Sequence, residues 1–177
     1  MAVLQIASDL IHTTIVFATA LIFAMLGGLI SERSGVVNIA LEGMMMTGAF
    51  VAAIVTYFSE KDLGMGGFSP WLGFVCAIFA GALFAVPHAV ASITFRADQV
   101  VSGVALNFLA TGATIYLCKI ILDGSAQTPT LKNVFSKWAV PILSDIPYLG
   151  PALFVAYPTS FIVFLLVGVI TFVLYKT

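Results

Sequence analysis

Between two strongly apolar runs lies S-E-R-S-G-V-V-N-I-A-L-E-G-M-M-M, residues 31–46, which sets Glu32, Arg33, Asn38 and Glu42 in a stretch otherwise built for lipid. An ionisable side chain at the centre of a membrane helix costs about 2.5–3.5 kcal/mol to insert, so several in one such segment make it a functional-site candidate. Asn38 stands one helical turn ahead of Glu42, so both are expected on one helical face. An amide and a carboxylate presented at the end of a broken helix can hydrogen-bond a polar solute. The same residues also suit an ordinary interfacial turn, with Glu32 and Arg33 among headgroups and Glu42 satisfied by a neighbouring helix. Spacing alone leaves both readings open. Gly27 and Gly28 are expected to end the preceding helix and Ser31 to Gly35 to form a polar turn, giving an interrupted helix near residues 31–37.

Other chemistry-bearing residues are few. His88 follows Pro87 inside an apolar run, where the proline is expected to kink the helix and free a carbonyl. A helix-to-helix hydrogen bond is the expectation for this histidine, with a proton relay as the alternative. His12 stands near the start of the first apolar run, at interfacial depth. Cys76 and Cys118 have no C-x-x-C spacing and no adjacent histidine, so they read as small packing residues rather than metal ligands. Met44 to Met46 occupy consecutive helical positions and read as packing. The sequence contains no G-x-x-x-x-G-K-[ST] loop to hold phosphates and no H-E-x-x-H or Ser/His set for hydrolysis. No metal or cofactor is expected.

The elements that must position these residues follow from composition. With 61% hydrophobic and 8% charged residues and a mean hydropathy of +1.13, the chain departs from soluble domains, in which about 25% of residues are charged. The expected fold class is all-α membrane, a polytopic helical bundle in the lipid bilayer. A net charge of -1 offers no basic face for nucleic acid. Helices crossing a bilayer need about 20 apolar residues, and five such runs occur: near 10–30, 36–57, 71–93, 100–122 and 160–175. No basic n-region or cleavage site precedes the first, so it is expected to direct insertion itself. Small residues Gly73, Ala77, Ala80, Gly81 and Ala85 recur every three or four positions and mark a close-packing face.

Residues 58–70 read as a loop, and T-F-R-A-D-Q as a tight hairpin in which Arg96 and Asp98 share one interface. Residues 123–159 carry Pro129, Pro141, Pro147, Pro151 and Pro158 and are expected to form an extracytoplasmic loop, a structured cap with short interfacial helices. Arg33, Arg96 and Lys176 fall on one side and Lys61, Lys119, Lys132 and Lys137 on the other. Long loops weigh little in the positive-inside rule, which puts the Arg33/Arg96 side in the cytoplasm and the N-terminus outside.

Two blocks carry a family resemblance. G-G-L-I-S-E-R-S-G-V-V-N-I-A-L-E-G-M-M-M-T-G-A-F, residues 27–50, resembles permease subunits of bacterial ABC importers in the branched-chain amino acid and simple-sugar transport superfamily. F-R-A-D-Q-V-V-S-G-V-A-L-N-F-L-A-T-G, residues 95–112, is similar to its nucleoside-type branch. The resemblance implies one transmembrane permease domain over residues 1–177, the N-terminal part of a longer permease, in the bacterial cytoplasmic (inner) membrane. It implies purine or pyrimidine nucleosides as solute, and as partners an ABC ATPase subunit, a second permease subunit and a solute-binding lipoprotein. The permease itself would not be an enzyme.

On that reading Asn38, Glu42 and Asn107 line the substrate path, since amides and carboxylates can pair with ribose hydroxyls and base edges. The alternative for Asn107 is an interhelical hydrogen bond. Glu32, Arg33, Arg96, Asp98 and Gln99 form a structural cytoplasmic hairpin. The competing functions are half of a secondary transporter, an ABC permease for simple sugars or branched-chain amino acids, and a purely structural membrane subunit. No internal copy of the E-R-S-G-V-V-N block supports an inverted repeat.

Overall fold

The computed structural model describes residues 2–176. In chain order it has α1 (Ala2–Arg33), α2 (Leu41–Lys61), a 3-10 turn (Gly66–Phe68), α3 (Ser69–Ala89), a π-helical turn (Val90–Thr94) and α4 (Gln99–Ile121). There follow β1 (Trp138–Ala139), a second π turn (Gly150–Phe154), β2 (Val155–Ala156) and α5 (Pro158–Lys176). Among the described residues five helices are long and apolar enough to cross a membrane, one for each predicted run, and the fold is all-α and polytopic. The chain divides into two compact units, residues 1–27 with 135–177, and residues 28–134.

In the unit of residues 28–134, α2 packs along both α3 and α4. Small residues make this possible, as the sequence predicts: Gly73 is seated on the Ala52 carbonyl and Thr56, and Gly48 faces Ala77. Hydrophobic burial contributes little here, because apolar faces have no water to leave inside lipid; close approach and interhelical hydrogen bonds hold the helices together instead. His88 supplies one such bond, Nδ1 to Ser102 Oγ at 3.1 Å, joining α3 to α4. Pro87 does not end α3, which continues through Ala89 before widening into the π turn.

In the unit of residues 1–27 and 135–177, the buried Thr19 Oγ1 and Ser160 Oγ lie 2.8 Å apart and link α1 to α5. Ser8 Oγ donates to the Tyr148 carbonyl at 2.7 Å. His12 Nε2 is 3.0 Å from Lys137 Nζ, whose ammonium also stands 5.8 Å from the Tyr157 ring centre. The expected interfacial helices of the 123–159 cap do not form among the described residues. In their place are a two-residue antiparallel pair, Trp138 opposite Ala156 and Ala139 opposite Val155, and one π turn. The frequent prolines explain this, since each withdraws an amide hydrogen and restrains its predecessor.

Two helix boundaries also differ from expectation. α1 runs straight through Gly27 and Gly28 to Arg33, and α2 starts only at Leu41, not at Val36. Apolar context on both sides outweighs the roughly 1 kcal/mol per glycine that helix propensity alone would charge.

Candidate functional site

The break in the helices spans residues 34–40, and each end of it has a local cause. At the end of α1 the Val36 amide donates to the Ser31 carbonyl at 3.1 Å and the Gly35 amide to the Glu32 carbonyl at 3.0 Å. That is the paired-bond pattern of a helix closed by a left-handed residue. Gly35, at φ +87°, takes the left-handed position that a β-carbon disfavours. Ser31 Oγ adds a bond to the Val36 carbonyl at 2.7 Å.

Asn38 then turns the chain. Its Oδ1 accepts the Ala40 amide at 3.0 Å and its Nδ2 lies 3.5 Å from Met44 Sδ. The expectation that Asn38 and Glu42 share a helical face fails for this reason: asparagine bonds its own backbone two residues on, which competes with helix. Asn38 is therefore in the connector, and α2 takes up its first bond only with the Met44 amide on the Ala40 carbonyl at 3.0 Å. Ala40 provides no side-chain cap.

The cap comes from α4. Asn107 Oδ1 accepts the Gly43 amide at 2.8 Å, and Asn107 Nδ2 donates to the Ile39 carbonyl at 3.0 Å. One amide thus satisfies a donor of the first turn of α2 and an acceptor of the connector. The approach requires glycine: a β-carbon on Gly43 would stand 2.9 Å from Asn107 Oδ1, and one on Gly103 would stand 2.8 Å from Ile39 Cβ. Ala40 and Ala110 are fully buried in the same contact.

The start of α4 is braced to the connector as well. Gln99 Oε1 accepts the Val37 amide at 2.7 Å. Asp98 Oδ1 accepts the Val100 and Val101 amides at 2.8 and 3.0 Å, making it the N-cap of α4. Arg96 precedes it in a left-handed conformation, φ 51°. Glu32, Arg33, Arg96 and Asp98 are exposed.

Of the three residues expected on a solute path, Asn38 and Asn107 converge on residues 39–44, each with both ends of its amide engaged. Glu42 does not join them. It is exposed on the first turn of α2 and has no hydrogen-bond or ion-pair partner among the described residues. A carboxylate there is favoured by the positive end of the helix and keeps its oxygens available to donors on a solute. Sequence reasoning missed Gly43, Gly103 and the acceptor role of Gln99. The four-residue spacing of Gly103 and Asn107 along α4 was the available signal.

Among the described residues no cluster of three or more His, Cys, Asp or Glu could hold a metal. A second polar feature lies at the other end of α2, where Glu60 accepts the Lys132 and Asn133 amides at 3.1 and 2.8 Å. These bonds fold residues 129–133 beside Tyr57 and Lys61, around a groove of about 460 Å³.

The family described as branched-chain amino acid transport system / permease component matches residues 10–177. The guanosine ABC transporter permease protein NupQ of Bacillus subtilis is 47% identical over 178 residues, covering 100% of this chain and 55% of the relative. The nucleoside ABC transporter permease protein NupC of Lactococcus lactis is 34% identical over 179 residues, covering 100% of this chain and 55% of the relative. A putative glucose ABC transporter permease of Haloferax volcanii is 35% identical over 178 residues, covering 98% of this chain and 50% of the relative. The chain thus spans about half the length of the curated relatives it matches. No solved structure matches it.

Proposed function

The chain belongs to the branched-chain amino acid transport system permease family, and from that membership we propose that it forms part of the membrane path of an ABC importer for nucleosides. The observation that carries the reading is 47% identity over the whole chain to a permease named for guanosine, joined by a second relative named for nucleosides. Both compact units are read as parts of one transmembrane permease domain, multi-pass in a bacterial cytoplasmic membrane. ATP hydrolysis belongs to a separate ATPase subunit, and a second permease subunit and a solute-binding lipoprotein complete the importer.

Within that path, Glu42 is the residue proposed to meet solute. It is a carboxylate on a membrane-spanning helix with no internal partner among the described residues, at a helix start that favours negative charge. Ribose hydroxyls and base N–H groups are donors that a carboxylate accepts. Asn38 and Asn107 serve the path by fixing the turn on which Glu42 stands. The relative named for glucose supports a second reading, a simple sugar as solute; the hydroxyl chemistry is common to both.

The test is uptake of radiolabelled guanosine, uridine and glucose by cells lacking their own importers and expressing the transporter with its partner subunits. Saturable, ATP-dependent nucleoside uptake that falls at least tenfold in Glu42→Ala, with membrane levels unchanged, is the expected result; a tenfold loss corresponds to about 1.4 kcal/mol. Uptake of glucose alone would move the reading to sugars. Uptake driven by an ion gradient after ATP depletion would overturn the importer assignment.

A further inference from the structure

At the far end of α3, His88 is only 3% exposed and Ser92 only 8%. His88 Nδ1 is engaged by Ser102 of α4, but His88 Nε2 and Ser92 Oγ are both buried without a hydrogen-bond partner. Two such groups in one place call for an explanation, because a polar atom withdrawn from water without a partner is costly and buried polar groups in native proteins are nearly always paired. Inside a membrane no bulk water can relieve the cost.

Their placement supplies one. Residues four apart on a helix lie on the same face with side chains rooted about 5–6 Å apart. Ser92 sits in the π turn Val90–Thr94 directly after α3, so it stays close to the His88 face while the ladder around it widens. A serine in regular helix bonds the carbonyl four residues back; Ser92 Oγ has no such bond here. A single molecule with hydrogen-bonding reach of about 2.8 Å in each direction spans that separation.

We propose that His88 Nε2 and Ser92 Oγ form a two-point binding site for one buried water at the junction of α3, the π turn and α4. Water fits because it donates and accepts, which matches an imidazole nitrogen of either tautomer and a hydroxyl that is free to rotate. A single water is also the smallest ligand that can pair both atoms, and buried waters typically make about two to four bonds to groups that otherwise lack a partner. The water ties the end of α3 to the π turn that follows it and gives that turn a reason: it releases Ser92 from the helix ladder to hold the water.

The experiment is water-edited solid-state NMR on the assembled transporter in lipid bilayers, with histidines labelled with nitrogen-15. The His88 signal is assigned by its disappearance in His88→Asn. Expected is magnetisation transfer from water to the His88 ring, lost in Ser92→Ala while the signal itself remains in place, and kept in Ser102→Ala. No transfer to His88 in the unsubstituted protein would overturn the site. Transfer unchanged in Ser92→Ala would overturn it as well, since water would then reach the ring without Ser92.

Discussion

Replacing Asn107 by alanine removes an acceptor from the Gly43 amide and a donor from the Ile39 carbonyl in one step. Hydrogen bonds between membrane helices average about 0.6 kcal/mol with a maximum near 1.7, so the two together are worth about 1–3 kcal/mol. The sharper test couples this change to Gly43→Ala. In the unsubstituted protein a β-carbon at Gly43 meets Asn107 Oδ1 at 2.9 Å, the Leu106 carbonyl at 3.1 Å and Ala110 Cβ at 3.2 Å. Overpacking of that kind costs about 1–3 kcal/mol, against a helix-propensity gain of up to about 1 kcal/mol. With Asn107 already alanine, the nearest obstacle is gone and the propensity gain remains. Gly43→Ala must then cost less in the Asn107→Ala background than in the unsubstituted protein, with a coupling of about 0.5–2 kcal/mol. The assay is equilibrium unfolding of all four proteins in mixed micelles. If the two costs add to within about 0.5 kcal/mol, the amide does not cap α2 in the way described.

Two further substitutions test the bracing at other places. Asp98→Ala removes the acceptor for the Val100 and Val101 amides and is expected to lower stability by about 0.5–2 kcal/mol, while Asp98→Asn keeps an oxygen in place and stays close to the unsubstituted protein; thermal unfolding in detergent compares them, and equal losses would refute the cap. Glu60→Ala frees the Lys132 and Asn133 amides, so hydrogen exchange at those two amides should accelerate while the middle of α2 is unchanged; unaltered exchange there would show that Glu60 does not hold this segment.

The five spans were legible because lipid imposes one simple demand, an apolar run about 20 residues long, and the chain meets it five times. The packing face of α3 was legible for a similar reason: small residues every three or four positions admit a neighbouring backbone whatever the details. The helix boundaries around the central stretch were not. Gly27 and Gly28 look like stops, but the stop is Gly35, and what distinguishes it is a left-handed backbone that no local count of glycines reveals. Asn38 looks like the first turn of α2, but its side chain bonds the Ala40 amide and delays the helix to Leu41. Asn107 illustrates the general limit: its residue type fits a solute ligand and an interhelical hydrogen bond equally well, and its bond to Gly43, 64 residues away in the chain, is one that spacing does not reveal. The short interfacial helices expected within residues 123–159 missed in the opposite direction: apolar patches suggested them, while the described residues there hold a two-residue strand pair and one π turn among frequent prolines.

A broken helix is often taken for a hinge, yet the two interruptions in residues 28–134 differ in a way that argues against a common role. The connector 34–40 is held at Val37 by Gln99, at Ile39 and Gly43 by Asn107, at Ala40 by Asn38, and at its entry by the paired bonds that close α1. For α2 to swing about this connector, α4 would have to let go of three bonds and of the close contact at Gly103. The connector is therefore a braced bend, and the first turn of α2, the connector and α4 move as one body. The π turn after α3 has the opposite character. It departs from the α-helical ladder, and the side-chain hydrogen bond to α4 nearest it, His88 to Ser102, is made by α3. If residues 28–134 change shape during transport, the change is easiest there, where two polar atoms lack fixed protein partners, and hardest at the stretch that carries Glu42. If Glu42 meets solute as proposed, it gains from that arrangement, because a side chain held in place beforehand loses less freedom when it binds.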